Sequence, residues 1–94
     1  KSLKYTIVPV EAKVPISDRK VVFKIIPEPQ SSKAIFNGQE ITLIRHGMQW
    51  EGIIPNATEG KHHITVIPFR GKPVQLEIEF FGMGFSSGLD LDDF

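Results

Sequence analysis

The sequence predicts an all-β domain, from two patterns and one absence. Apolar and polar residues alternate with a period of two in several short runs, as they do in strands that bury one face. Turn-forming residues separate these runs at intervals of about 8 to 12 residues, which suits a sandwich or a small barrel. No stretch keeps an apolar stripe at helical spacing for three turns. We therefore expect almost no helix.

At least six strands follow from these runs. The first, Tyr5–Val10, is expected at a sheet edge because Pro9 cannot donate a hydrogen bond to a neighbouring strand. Val21–Ile26 has one fully apolar face and one mixed face, so we expect it inside a sheet. Every second residue of Val74–Phe80 is apolar, the pattern of a half-buried strand. Three more runs are rich in β-branched or aromatic residues: Ile41–Ile44, Met48–Ile54 and Ile64–Pro68.

Residues that tolerate a positive φ separate the strands. Asn37-Gly38 and His46-Gly47 predict tight hairpins, and Glu59-Gly60 and Arg70-Gly71 predict further turns. The segment from Pro27 to Ser32 contains two prolines, which cannot continue a hydrogen-bonded ladder, so we expect a longer crossing loop there.

Composition limits the kind of protein. The chain has 94 residues, of which 40% are hydrophobic, and this is enough for one domain with one core. It contains no cysteine, which excludes disulfides, thiolate metal sites and thiol nucleophiles. No apolar run approaches the roughly 18 residues that a membrane span requires, so we expect no membrane span.

Charge is distributed unevenly although the net charge is zero. Residues 1–72 hold 11 basic and 6 acidic side chains, whereas residues 73–94 hold 5 acidic side chains and no basic one. The basic residues are scattered, which favours solvated strand faces over a surface that follows nucleic-acid phosphates. We expect a β domain over residues 1–81 and a flexible Gly/Ser segment with an acidic tail over residues 82–94.

Three segments resemble a known family. Ile35–Leu43 contains the Asn-Gly turn, Met48–Ile54 contains a tryptophan, and Glu59–Val66 begins with Glu-Gly and ends in Ile-Thr-Val. With their spacing over residues 20–81 they resemble bacterial immunoglobulin-like domains of the E-set type. The resemblance implies an immunoglobulin-like antiparallel β-sandwich of about seven strands, acting as an accessory or binding module. The Asp-rich calcium loops of some such repeats are missing, so we expect no calcium.

Candidate site residues have simpler structural explanations. His62 and His63 are adjacent and would point to opposite faces of a strand, and His46 comes from another turn, so no metal site is expected. Trp50 has the same strand parity as Met48 and Ile54, so the three are expected on one face, with Trp50 in the core rather than on a ligand-binding surface. In Asn56-Ala57-Thr58 the chain matches a glycosylation acceptor that matters only in a eukaryotic secretory pathway.

We expect no enzyme and no cofactor. Glu77 and Glu79 share the solvent face of one strand and have no partner that would shift their acidity. Ser17, Ser31 and Ser32 lie in loops without the glycines of a nucleophile elbow. No helix follows the glycines after Phe81, so no phosphate-binding loop is expected.

The segment at residues 89–94 is the most suggestive feature. Three large apolar residues are separated by aspartates in it: Leu89, Asp90, Leu91, Asp92, Asp93 and Phe94. Such a peptide can bind a basic-rimmed pocket of a partner protein, so these six residues are the predicted partner-binding site. The segment also resembles the acidic, Phe-ended tails of single-stranded-DNA-binding proteins, whose bodies are OB-fold barrels.

Three functions are compatible with the sequence. The first is a non-catalytic structural or protein-interaction module of a larger periplasmic, cell-surface or secreted assembly. The second is a small OB-like protein that binds single-stranded nucleic acid and recruits partners through residues 89–94. The third is a carbohydrate-binding accessory domain, which would need an exposed Trp50. No small-molecule substrate is expected.

Overall fold

The computed structural model describes residues 4–82; residues 1–3 and 83–94 lie outside it. The described chain forms eight strands and no helix, which confirms the all-β prediction. The strands are β1 (Thr6–Pro9), β2 (Lys13–Pro15), β3 (Lys20–Ile26), β4 (Ser32–Phe36), β5 (Gln39–His46), β6 (Gln49–Ile53), β7 (Gly60–Pro68) and β8 (Val74–Phe81). Within residues 4–82, nothing helical has the length and apolar character of a membrane span.

The strands form one strongly curled sheet. Their order across the sheet is β1-β3-β6-β5-β4-β7-β8-β2. All neighbouring pairs are antiparallel except β2 and β8, which run parallel through Lys13 to Pro15. Only antiparallel pairing was predicted from the sequence, and that prediction is wrong for β2.

Chain connectivity requires the curl. β1 and β2 lie at opposite ends of the strand order, seven strand spacings apart, and would be about 34 Å apart in a flat sheet. Only three residues separate them in the sequence, and that link spans at most about 14 Å. The sheet therefore bends until its two ends approach each other, and β1 lies close to β8.

β5 belongs to both halves of the curled sheet. Its N-terminal part, Gln39–Leu43, pairs with β4, and its C-terminal part, Ile44–His46, pairs with β6. We call β1, β3, β6 and β5 the first half, and β4, β7, β8 and β2 the second half. The strand order makes β5 the hydrogen-bonded connection between them.

The period-two pattern places one face of every strand in the interior. In β3 the side chains of Val21, Phe23 and Ile25 are buried, as predicted from their alternation. In β8 the buried residues are Ile78 and Phe80, with Val74 and Leu76 packed partly against them. The core also contains Ile7, Val14, Ala34, Phe36, Ile41, Leu43, Trp50, Ile54, Ile64 and Val66. A single core fills the concave side of the sheet.

Two hairpin turns follow from backbone conformation. Asn37 and Gly38 have φ of 50° and 78°, which fits the two-residue turn that matches strand twist. The next turn is formed by Gly47 and Met48, with φ of 63° at Gly47, one residue later than predicted. The turn predicted at Arg70-Gly71 has Phe69 and Arg70 as its central residues, one residue earlier, with φ of 60° at Arg70.

Two strands were not predicted from the sequence. β2 has only three residues, and it pairs with β8 rather than with a sequence neighbour. β4 starts at Ser32, inside the segment predicted as a loop, so the loop between β3 and β4 ends at residue 31. The remainder of that loop crosses from the first half of the sheet to the second, as expected.

Trp50 gives a direct test of the core. Its side chain is 5% exposed, so we expect Trp50→Ala to lower the free energy of unfolding by about 3 to 5 kcal/mol. The matched control is Met48→Ala in the neighbouring turn, where the side chain is 77% exposed and a change within about 0.5 kcal/mol is expected. Urea denaturation followed by circular dichroism measures both. A loss below about 1 kcal/mol for Trp50→Ala would contradict this core assignment.

Candidate functional site

The predicted partner-binding residues Leu89, Asp90, Leu91, Asp92, Asp93 and Phe94 lie outside the described part of the chain. Their role therefore stays a prediction. The other sequence candidates fall within residues 4–82, and each has a defined position there.

Trp50 is a core residue, as predicted, and it lies opposite Arg45 in the pairing of β5 with β6. Met48 was expected to share its face because the two residues have the same parity. That expectation is wrong because Met48 lies in the turn, before the pleated alternation of β6 begins. A buried indole cannot offer the open ring face that stacks on a sugar.

The histidines of β7 point to opposite faces, as the sequence predicted. His62 is half-buried, and its ring lies edge-on to Phe36 with 5.4 Å between centroids. The Nε2 atom of His62 donates to the carbonyl oxygen of Thr58 at 2.9 Å. His63 is exposed on the other face. No group of three or more His, Asp or Glu side chains in residues 4–82 is arranged to hold a metal ion.

The acidic and hydroxyl candidates are separated in the fold. Glu77 and Glu79 follow the outward side of β8, where Glu79 lies opposite Lys61. The hydroxyl of Ser32 lies 3.4 Å from the carbonyl oxygen of Ile67. Glu77 lies opposite His63 in the pairing of β7 with β8, and both side chains are exposed on the outward face. No hydrogen bond or ion pair joins these two side chains in the described residues.

Asn56 lies on the surface in the loop before β7. Its side chain is exposed, and its backbone has φ of 56°. The Thr58 hydroxyl of the same acceptor motif lies 3.2 Å from His62 Nε2. The motif is therefore accessible, although its use depends on the cell.

The most distinctive surface of residues 4–82 is an outward-facing apolar area on the first half of the sheet. Seven large apolar side chains are exposed in the described chain, and six of them lie on or beside β1, β3, β5 and β6. We call this surface the outer apolar face. It comprises Val8, Val10, Ile26, Ile44, Met48 and Ile53. The seventh side chain, Phe69, lies in the loop between β7 and β8.

A groove opens in this face where β5 leaves β6. β5 pairs with β6 only at Ile44–His46, because its preceding residues pair with β4. A gap therefore remains between β5 and the end of β6. The resulting β5–β6 groove has a volume of about 320 Å³. Its lining residues are Lys20, Ile41, Thr42, Ile44, His46, Glu51, Gly52 and Ile53.

Gly52 contributes only backbone atoms to the β5–β6 groove, because a side chain at this position would not fit. A Cβ atom on Gly52 would lie 2.7 Å from the Leu43 Cδ2 atom and 3.2 Å from the Ile41 Cγ2 atom. The buried Leu43 and Ile41 side chains of β5 thus pack directly on the backbone of β6. At the rim, Ile44 is 60% exposed and Ile53 is 51% exposed.

Ion pairs neutralise several of the scattered basic residues. Lys20 Nζ lies 3.8 Å from Glu51 Oε1 across β3 and β6, and Lys33 Nζ lies 3.0 Å from Glu40 Oε2. Arg45 pairs with Glu28. These pairs are exposed or half-exposed, so each contributes little to stability.

Sequence reasoning missed the outer apolar face. The signal was present in the mixed face of β3, where Val22 and Ile26 flank Lys24, and in Ile44 and Ile53 on the outward parity of their strands. Those residues were counted as strand formers. Their common location depends on which strands become neighbours, and the sequence does not specify that.

Gly52 gives the second test. We expect Gly52→Ala to lower the free energy of unfolding by about 1 to 3 kcal/mol, because the new methyl group overlaps the Leu43 side chain. The double variant Gly52→Ala/Leu43→Val should lose less than the sum of its single variants, by about 0.5 kcal/mol or more. Urea denaturation of the four chains measures the coupling. Strict additivity would contradict the packing of Leu43 on Gly52.

Comparison with known proteins does not assign a family. No model of a known protein family matches the chain, and no curated protein matches it. The physical properties of the surfaces described above must therefore carry any assignment of function.

Proposed function

We propose that the chain is a non-catalytic protein-interaction module with an immunoglobulin-like sandwich architecture, working in a larger periplasmic, cell-surface or secreted assembly. The observation that carries the interaction function is the outer apolar face. Six of the seven exposed large apolar side chains of residues 4–82 share this half of the sheet, with Lys20, Lys24 and Glu51 opposite Ile53, Val8 and Ile44 in the strand pairing. Exposed apolar groups with polar neighbours are typical of association surfaces. The location outside the cytoplasm rests on the family resemblance of residues 20–81 alone.

Strand order supports the immunoglobulin-like part of the proposal. Immunoglobulin domains place strands A, B, E and D in one sheet and strands C, F and G in the other. If β1 is A, β3 is B, β4 is C and β5 to β8 are D to G, the neighbours within each of these two groups are the same. The pairing of β5 with β4 departs from the pattern, because it joins D to C and makes one continuous sheet. β2 then corresponds to a second part of strand A that has moved beside G. The tryptophan departs from the antibody pattern, since it lies on the E-like strand rather than on C.

Edge geometry indicates how a partner would approach. β1 is an edge strand with exposed Val8, and Val10 follows it directly. Pro9 removes one backbone donor from that edge, which disfavours the addition of a full partner strand. Contact through side chains of the outer apolar face and through the loops is therefore favoured over backbone pairing.

The two other functions have less support. The carbohydrate-binding hypothesis needed an exposed Trp50, and this ring is buried. The nucleic-acid hypothesis needs aromatic rings along a basic face. Of the aromatic side chains in residues 4–82, only Phe69 is exposed, and Lys20, Lys33 and Arg45 are paired with carboxylates.

Affinity capture tests the interaction function. The immobilised full chain, incubated with an extract of its source cells, should retain a protein partner that the variant Ile44→Ser/Ile53→Ser loses. The matched control is Phe69→Ser, which removes the exposed apolar side chain outside the outer apolar face and should keep the partner. A parallel variant, Leu91→Ser/Phe94→Ser, tests the predicted partner-binding segment. Retention by every variant would contradict the proposed surface.

Single-stranded DNA binding separates the leading proposal from the nucleic-acid alternative. We expect no binding of a labelled oligonucleotide by the full chain at about 50 mM salt, where electrostatic binding is strong. Fluorescence anisotropy measures it. Binding that weakens steeply as salt is raised would favour the OB-like alternative instead.

A further inference from the structure

The β5–β6 groove and the segment Leu89–Phe94 have complementary chemistry. The groove is predominantly apolar, with the isoleucine side chains of Ile44 and Ile53 exposed beside it and Lys20 on its rim. The segment contains three large apolar residues separated by aspartates. We propose that residues 89–94 bind in the β5–β6 groove of their own chain.

The end of β8 lies near the entrance of the groove. The carbonyl oxygen of Phe81 accepts from the backbone N–H of Ile16 at 2.8 Å. A turn from Pro15 to Arg19 follows, and the carbonyl oxygen of Arg19 accepts from the N–H of Ile54 at 2.8 Å. The end of β8 is thus connected to the end of β6, where Ile53 borders the groove.

The length of chain after β8 matches this separation. The path from Phe81 to the end of β6 crosses two strand spacings and one turn. Together these span about 17 Å. Residues 83–88 form a six-residue linker, which reaches about 20 Å when extended. Leu89 can therefore arrive at Ile53, and the five residues after it can follow the groove along β5.

Charge favours the same placement. Lys20 lines the groove where the segment would enter, Arg19 precedes it in the chain, and His46 also lines the groove. The Oε1 atom of Glu51 lies 3.8 Å from the Lys20 ammonium nitrogen, so these two charges offset each other. Arg19, which is exposed, is the further cation at the entrance that can attract the aspartates.

The apolar contact supplies the attraction. In an extended segment Leu89, Leu91 and Asp93 would point to one side, and Asp90, Asp92 and Phe94 to the other. This arrangement lets the leucines cover Ile44 and Ile53 and brings Asp93 to the groove, while Asp90 and Asp92 remain in solvent. The same residues would otherwise be available to a partner, so the contact would compete with partner binding.

Disulfide trapping tests the contact, because the natural chain has no cysteine. The full-length variant Thr42→Cys/Asp93→Cys places one thiol at the groove and one in the segment and keeps every apolar residue of both. The control, Glu77→Cys/Asp93→Cys, places the first thiol on the exposed outward side of β8, also within reach of the linker. Oxidation is followed on non-reducing gels at low protein concentration.

We expect the Thr42 variant to form its intrachain disulfide at least about tenfold faster than the Glu77 control, because binding raises the local thiol concentration. Adding Leu91→Ser/Phe94→Ser should remove that advantage. Adding Glu51→Gln should increase it about threefold, whereas Lys20→Glu should reduce it. We expect Glu51→Gln and Lys20→Glu to leave the β domain folded, because neither side chain belongs to its core.

Three outcomes would overturn the contact: equal rates for the two pairs, no effect of Leu91→Ser/Phe94→Ser, or a disulfide formed only between two chains. The last result would indicate that the groove accepts the segment of a second copy. This contact needs no external partner, so its failure would leave the interaction function to be decided by affinity capture.

Discussion

The three-residue link between β1 and β2 is the constraint on which the rest of the structure depends. It joins strands from opposite ends of the order, so the sheet must curl, and the curl produces a concave side that can be filled. The buried rings of Phe23, Phe36, Trp50 and Phe80 occupy that space. The same curl requires one strand to pass from the first half to the second. β5 does this by leaving β6 for β4, and the β5–β6 groove is the opening that remains.

The curl of the sheet therefore produces both the core and the β5–β6 groove. Gly52 shows the connection, since Leu43 and Ile41 of β5 rest on its backbone at the point where hydrogen bonding between β5 and β6 ends. Their side chains replace the missing ladder with apolar packing and seal the core from the groove. The outward side chains Ile44 and Ile53 have no comparable cover within the described residues. An unfilled opening and uncovered isoleucines thus occur at the same place.

Much of this fold could be predicted from the sequence because local patterns determine which face of a strand is buried. The alternation in β3 and β8 predicted their buried side chains, and Asn37-Gly38 predicted its hairpin. β2 was missed because three residues carry no period, and its parallel pairing with β8 is a long-range choice. The sequence did not distinguish a sandwich from a barrel, because that choice also depends on long-range strand pairing. The outer apolar face was invisible because it depends on strand neighbours that are distant in the chain.

Tethering determines what a short acidic segment can achieve at the groove. A six-residue linker keeps the segment at an effective concentration of the order of millimolar. A free peptide with a Kd of about 1 mM binds with about 4 kcal/mol, and the tethered segment would then be bound about half of the time. A partner for the same segment would lose only about a factor of two in apparent affinity, because half of the chains remain open. Tenfold tighter contact in the groove would raise this factor to about eleven. The strength of the apolar contact at Ile44 and Ile53 thus determines how far the apparent affinity for a partner is lowered, and it does not abolish partner binding.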